Sequence, residues 1–395
     1  MQLANRISKI EASKTLQVKE KALELKAKGI RVIDLTAGEP DFWTPDFIAQ
    51  AGIQAINEGF TKYTANNGIP ELREAIAQKL MRDNHLDYSP AQIIVSSGAK
   101  QSILNALLAI VNGGEEVILP SPYWVSYPEQ VKIAGGIPVI IDTHHTDFKL
   151  SVDLLKQHIS QKTRAIILNS PCNPTGVVYS ESELSALADV LRDQDIWIIS
   201  DEIYEKIIFD NLHHFSIAGF KDMIEKCIVI NGFSKSYSMT GWRIGYAAAP
   251  GPVIKAMSKI QGHYTSNASS ISQKAALAAL HGPATEIEHM RKTFETRRNF
   301  IRTQLDSRPY FSYAYPQGAF YFFINISKVF GKDAGEKTIQ NSVDFSSFVT
   351  ENFHVVSVPG IAFGADDFIR ISFAASQEEL EIGMQKLLQA MDQII

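Results

Sequence analysis

Lys235 stands in the run NGFSKSYSMTGWRIG, residues 231–245, directly after the apolar stretch Ile228-Val229-Ile230 and eight positions before Arg243. A lysine placed for solubility needs no such setting among small residues. Once it loses its proton, a lysine amine is a nucleophile and can join an aldehyde as a Schiff base. Two other polar groups follow apolar stretches in the same way. Asp201 comes after Ile196-Trp197-Ile198-Ile199-Ser200, and Asn173 lies in Asn169-Ser170-Pro171-Cys172-Asn173-Pro174-Thr175-Gly176. If those stretches are parallel strands, the three groups converge on one sheet edge. A buried salt-bridge network would use the same residues.

An anion receiver is also present. Ser96-Ser97-Gly98-Ala99-Lys100 follows Ile93-Ile94-Val95 and opens the apolar stretch from Ile103 to Val111, so the free backbone N–H groups of a helix start would face a phosphate. Such a turn also occurs as a plain strand-to-helix connection. Arg243 adds a fixed positive charge. Trp124, in Ser121-Pro122-Tyr123-Trp124, can stack on an aromatic ring or simply pack in a core. Taken together, amine, acid, amide and anion receiver suit pyridoxal phosphate, with the acid holding a protonated pyridine nitrogen so that the ring drains electrons.

The elements that must position these groups alternate along the chain. Helices are expected over 14–28, 46–59, 70–84, 99–111 and 181–193, with Leu16, Ala22, Leu23 and Leu25 forming one face of the first and Gly29 its stop. Pro70 suits a first turn, and Ser180 with Glu183 forms a capping box. The short apolar runs 116–119, 138–141, 165–168, 196–199 and 227–230 read as strands buried on both faces of a parallel sheet. Ligands then bind beyond the carboxyl ends of the strands. After a charged helix near 284–307 the pattern changes to strands at 318–323, 355–358 and 368–372, interleaved with helices near 342–352 and 377–392. The expectation is an α/β fold in three stretches: an N-terminal segment, 1–45, joining the small domain; a large domain, 46–283; and a small α+β domain, 284–395.

Size and composition agree with two lobes. The chain has 395 residues, and single cores usually stop growing below that length. Thirty-eight basic residues against 43 acidic ones, a net charge of −5, leave no footprint for nucleic acid or an anionic membrane. The charged N-terminus is no signal peptide, and no apolar run approaches a membrane span. Two cysteines, Cys172 and Cys227, make neither a disulfide framework nor a metal cage. The expectation is a soluble cytoplasmic protein without a metal.

Six motifs in one order over essentially the whole chain resemble class I aminotransferases of fold type I. They are Ser234-Lys235 with Gly241-Trp242-Arg243-Ile244-Gly245; Asn173-Pro174-Thr175-Gly176; Ser200-Asp201-Glu202-Ile203-Tyr204; Tyr63; Gly68-Ile69-Pro70-Glu71-Leu72-Arg73; and Arg370. The resemblance implies that Lys235 binds pyridoxal phosphate covalently and later moves the substrate's proton. It makes Asp201 the partner of the ring nitrogen, and Asn173 and Tyr204 the partners of the phenolic oxygen. Trp124 would stack on the ring, Gly98, Ala99 and Arg243 would surround the phosphate, and Lys100 and Ser234 would also touch the cofactor. Tyr63 would reach a neighbouring subunit's phosphate, so a homodimer is implied. Arg370 and Gly38 would grip the substrate's α-carboxylate, with Trp124 and Asn173 beside it. Gly232 departs from the family, where many members carry Ser.

Within that family the chain is most similar to the bacterial aspartate aminotransferase subgroup, through Thr36-Ala37-Gly38-Glu39-Pro40-Asp41-Phe42, Ser121–Pro128 and Lys100 in the phosphate turn. The subgroup implies that Lys100 meets the substrate's distal carboxylate, the substrates being amino acids and 2-oxo acids. Some members also take prephenate through a basic residue near the N-terminus, which here is matched by Glu11, two residues before Ser13-x-Thr15. An acid repels the extra carboxylate, so poor prephenate turnover is expected. The alternatives are an aromatic, alanine or kynurenine aminotransferase, a carbon-sulfur lyase, and a non-enzymatic regulator domain.

Overall fold

The computed structural model describes residues 3–4, 7–10, 16–335 and 337–395. Glu11, Ser13 and Thr15 lie outside the described residues. Seven strands form the main sheet, in the order Ile93–Ser96, Gly245–Ala248, Cys227–Gly232, Trp197–Asp201, Thr163–Asn169, Glu116–Ser121, Ile137–Asp142. Neighbours run parallel, except that Gly245–Ala248 is antiparallel to the strands on both sides of it. In the inner strands the β-branched runs are covered on both sheet faces, whereas the edge strand Ile137–Asp142, expected to be buried on both, leaves Ile140 41% exposed. Ile94, Ile167, Ile199, Ile228 and Ile230 point into one apolar core, while Ile93, Val95, Ile166, Ile198 and Val229 point into another.

A second, four-stranded sheet joins Val358–Pro359, Phe368–Ser372, Tyr321–Asn325 and Tyr313–Ala314 in antiparallel order. Its core is separate and aromatic, built on Phe294, Phe320, Phe322, Phe345 and Phe373. Ile33–Asp34 runs parallel to Val355–Val356, and Val18 and Ala22 pack on Val356. The α/β class read from the sequence is the observed one.

Most expected helices form close to their expected limits, as Asp46–Asn57, Pro70–Asn84, Ala99–Ile110, Glu181–Leu191, Thr285–Asp306, Ser342–Phe353 and Gln377–Ile394. The capping box is present: Ser180 N donates to Glu183 Oε2 at 2.7 Å and Glu183 N to Ser180 Oγ at 3.3 Å. Three further readings need correction. In helix Leu16–Ala27 the buried face is Val18, Ala22 and Leu25, whereas Leu23 is 66% exposed, because only one stripe of the helix meets the small domain. The strand expected at 318 begins at Tyr321, since the Gly318 and Ala319 amides already donate to the Gly176 and Ile207 carbonyls. The stretch 355–358 divides between two sheets. Helices Gly251–Tyr264 and Ser270–His281 were not anticipated; the first opens on Pro250-Gly251-Pro252, which reads as a turn.

Candidate active site

Strand register places the predicted groups together. Asn169 pairs with Asp201, Asp201 with Ile230, and Gly232 with Gly245, which in turn pairs with Ser96. The ends of four strands thus share an edge with the start of the antiparallel one. The chain leaves that edge after Gly232, passes Lys235, and returns to it at Gly245, so Arg243 arrives beside the turn after Ser96. A cleft of about 1290 Å³ opens there. Gly38, Ala99, Lys100, Trp124, Asn173 and Asp201 line it, as do Tyr204, Ser234, Lys235, Arg243 and Arg370. Gly98 lies against Arg243. Tyr63 does not line the cleft and is 90% exposed.

The Lys235 ammonium donates to the Gly38 carbonyl oxygen. Burial, helped by the Arg370 and Arg243 cations, lowers its pKa from 10.5 to about 8 against the opposing pull of Glu39 and Asp201. Asp201 is 3% exposed. Its Oδ2 accepts the Tyr127 hydroxyl at 2.6 Å and its Oδ1 the Ile203 amide at 3.3 Å. Burial pushes this carboxyl up to about 6, with Glu202 adding to the rise and the Tyr127 bond, the Ile203 amide and Lys235 resisting it.

At the anion end, helix Ala99–Ile110 starts without a side-chain cap. Its preceding residue, Gly98, has φ +87°, and a Cβ there would sit 2.6 Å from Arg243 Nη2. A Cβ on Gly245 would meet Ala99 N at 2.5 Å. Arg243 itself holds φ +51°, a left-handed conformation that costs a non-glycine residue about 1–3 kcal/mol. It is the local price of aiming a guanidinium at the turn. Gly232 has no room for the family's serine, since its Cβ would lie 2.9 Å from Gly245 Cα.

Arg370 is 6% exposed and has no carboxylate partner among the described residues. Its Nη1 donates to Asn173 Oδ1 at 2.9 Å and its Nη2 to the Thr36 carbonyl at 2.8 Å, while Nε has no partner. The guanidinium lies 4.3 Å from the Tyr321 ring centre and 5.1 Å from that of Phe363. Burial lowers its pKa. The Tyr204 and Tyr321 hydroxyls are 2.8 Å apart. Lys100 Nζ sits 4.8 Å over the Trp124 ring, and burial with Arg243 nearby lowers its pKa. Trp124 meets Tyr127 edge to face at 5.4 Å.

The residues present fit pyridoxal phosphate. A turn that a Cβ would fill is closed by an arginine, a lysine amine faces the cleft without a hydrogen-bonded carboxylate, and a buried guanidinium keeps one nitrogen unpartnered. Tyr127 and Tyr321 were not singled out from the sequence. The signal was weak: a tyrosine in an aromatic or apolar stretch reads as core, though a buried hydroxyl usually finds a partner.

The sequence pattern of the family described as "Aminotransferase class I and II" matches residues 30–387. An "Aspartate aminotransferase" of Geobacillus stearothermophilus is 47% identical over 394 residues, 99% of each chain. A "Probable aspartate/prephenate aminotransferase" of Rickettsia bellii is 48% identical over 383 residues, 96% of each chain. A solved aspartate aminotransferase structure from Rhizobium meliloti superposes with a TM-score of 0.96 at 40% identity, covering 100% of both chains.

Proposed function

The chain belongs to the class I and II aminotransferases, and we propose that it moves the amino group of L-aspartate to 2-oxoglutarate, giving oxaloacetate and L-glutamate in two half-reactions. One observation carries the choice of substrate. Apart from Arg243, which is assigned to the phosphate, two cations without an ion pair among the described residues, Arg370 and Lys100, line the same cleft as Lys235. A dicarboxylic amino acid supplies one carboxylate to each, and a fork-shaped guanidinium suits the α-carboxylate.

Pyridoxal phosphate, the family's cofactor, supplies an electron sink for the charge left at the substrate's α-carbon. The protein does the rest. Arg243, the Ala99 helix start, Gly98 and Ser234 hold the phosphate. Trp124 would cover the ring, Asp201 would partner its nitrogen, and Asn173 and Tyr204 would partner its phenolic oxygen. Lys235 would be the covalent anchor and, once freed by the substrate's amine, would take the α-proton on Nζ and pass it on to the cofactor; its lowered pKa keeps part of the amine neutral near pH 7. Arg370, backed by Gly38, would hold and orient the substrate's α-carboxylate.

We take 1–45 with 284–395 as one body and 46–283 as the other, with Gly38 and Arg370 on the first closing toward Lys235 on the second. Tyr63, exposed on the single chain, would in this reading reach across a homodimer interface to the neighbour's phosphate. No helix among the described residues is long and apolar enough to cross a membrane, and both cysteines are free and buried, in keeping with a cytoplasmic enzyme.

The test is the absorption spectrum of the purified protein with L-aspartate alone, followed by 2-oxoglutarate. The cofactor band should fall with aspartate and return with the oxo acid, with oxaloacetate released. A band indifferent to aspartate but responsive to an aromatic amino acid would overturn the substrate assignment.

A further inference from the structure

We infer that Tyr127 is a positioning residue for the reaction, holding Asp201 as an oriented carboxylate whose other oxygen faces the cofactor's ring nitrogen. The inference rests on the proposed role of Asp201. Tyr127 is 3% exposed and opens helix Tyr127–Ile133. Its hydroxyl makes the shorter of the two hydrogen bonds to the carboxyl group, 2.6 Å to Oδ2 against 3.3 Å from the Ile203 amide to Oδ1. The ring is braced edge to face on Trp124, and the same helix is tied to the phosphate turn by Gln130 Nε2, which donates to the Lys100 carbonyl at 2.8 Å. One phenol therefore links the wall that covers the ring to the acid at its edge.

The chemistry requires such a donor. A protonated ring nitrogen needs an ionised partner, and burial works against ionisation. The groups facing Asp201 are Glu202, which opposes its charge, Lys235, which supports it, and the Cys172 thiol and Tyr204 phenol, which lie close enough to interact with the same buried cluster. Tyr127 keeps its proton for that bond: burial and the neighbouring carboxylate raise its pKa well above the usual 10. It has a proton to donate at every working pH and takes up Oδ2, so that Oδ1, whose other bond is the longer one from the Ile203 amide, faces the ring.

The test uses the holoenzyme loaded with pyridoxal phosphate carrying ¹⁵N in the ring. The ¹⁵N chemical shift, which reports protonation of that nitrogen directly, is followed from pH 5 to 9 in four proteins: the parent, Tyr127→Phe, Asp201→Asn, and the double variant. In the parent the nitrogen should stay protonated through the range. In Tyr127→Phe the ¹⁵N signal should move toward the neutral-nitrogen value across the range, because losing a hydrogen bond to a charged group raises the basicity of Asp201 by about tenfold or more and draws the shared proton toward the acid. In the Asp201→Asn background the same tyrosine change should add nothing, because the effect passes through the carboxylate. Tyr127→Gln, which keeps a donor without the ring, should recover part of the shift. A Tyr127→Phe curve that superimposes on the parent's, or an equal change with and without Asp201, would overturn the inference and leave Tyr127 a packing residue. A parent protein that takes up no pyridoxal phosphate would instead overturn the functional reading beneath it, and the inference with it.

Discussion

Covalent capture of pyridoxal phosphate by the cofactor-free protein should level off near pH 8, more than two units before a free lysine would. The reason is the burial of Lys235, which disfavours the ammonium and brings its pKa from 10.5 to about 8. Only the neutral amine attacks the aldehyde. At pH 7 a group of pKa near 8 is about 9% neutral and one at 10.5 about 0.03%, a gain of roughly 300-fold in nucleophile. The rate is read from the shift of the cofactor's absorption band after rapid mixing. It is divided at each pH by the rate for Nα-acetyl-lysine, which cancels the cofactor's own ionisations. With a lowered pKa the ratio is flat below about pH 7.5 and falls about tenfold per pH unit between 8.5 and 10, as Lys235 is already neutral while the reference amine continues to gain. A ratio constant through pH 10 would mean that Lys235 titrates as an ordinary lysine, and the argument from burial would fail.

Lys100→Ala should lower kcat/KM for aspartate by about 10- to 100-fold, the worth of a charge-assisted hydrogen bond, while alanine turnover changes little; equal losses with both would remove Lys100 from the substrate site. In Gly245→Ala the new methyl meets Ala99 N at 2.5 Å and Gly98 C at 2.8 Å, so the phosphate turn must move. Overpacking against backbone should weaken cofactor affinity, measured by equilibrium dialysis, by about tenfold or more; an affinity within twofold of the parent would show that the turn does not hold the phosphate. Prephenate should be transaminated far more slowly than oxaloacetate, because Glu11 repels the additional carboxylate. Comparable rates for the two would contradict that reading.

How much of this was visible in the sequence depends on where each residue's partner lies. Lys235, Asp201 and Asn173 could be brought together on paper because each follows a strand-like run, and parallel strands end on a common edge. Arg243 needed more. Its spacing from Lys235 was plain, but the reason it returns to the phosphate turn is the antiparallel strand Gly245–Ala248, whose direction no periodicity reveals. Tyr127 and Tyr321 were hidden for a different reason. Their hydroxyl partners, Asp201 and Tyr204, are 74 and 117 residues away, so only the folded chain distinguishes them from core aromatics. Arg370 lies between these cases. An arginine within Phe368-Ile369-Arg370-Ile371 announced a costly burial, but the strand could not say what would meet the charge. The fold meets it with neutral groups, the Thr36 carbonyl, the Asn173 amide and two aromatic faces. A protein carboxylate in their place would have satisfied the guanidinium and left nothing for a substrate to bind. Neutral partners fix the position of the cation without cancelling it, and that choice converts a destabilising burial into affinity for a carboxylate.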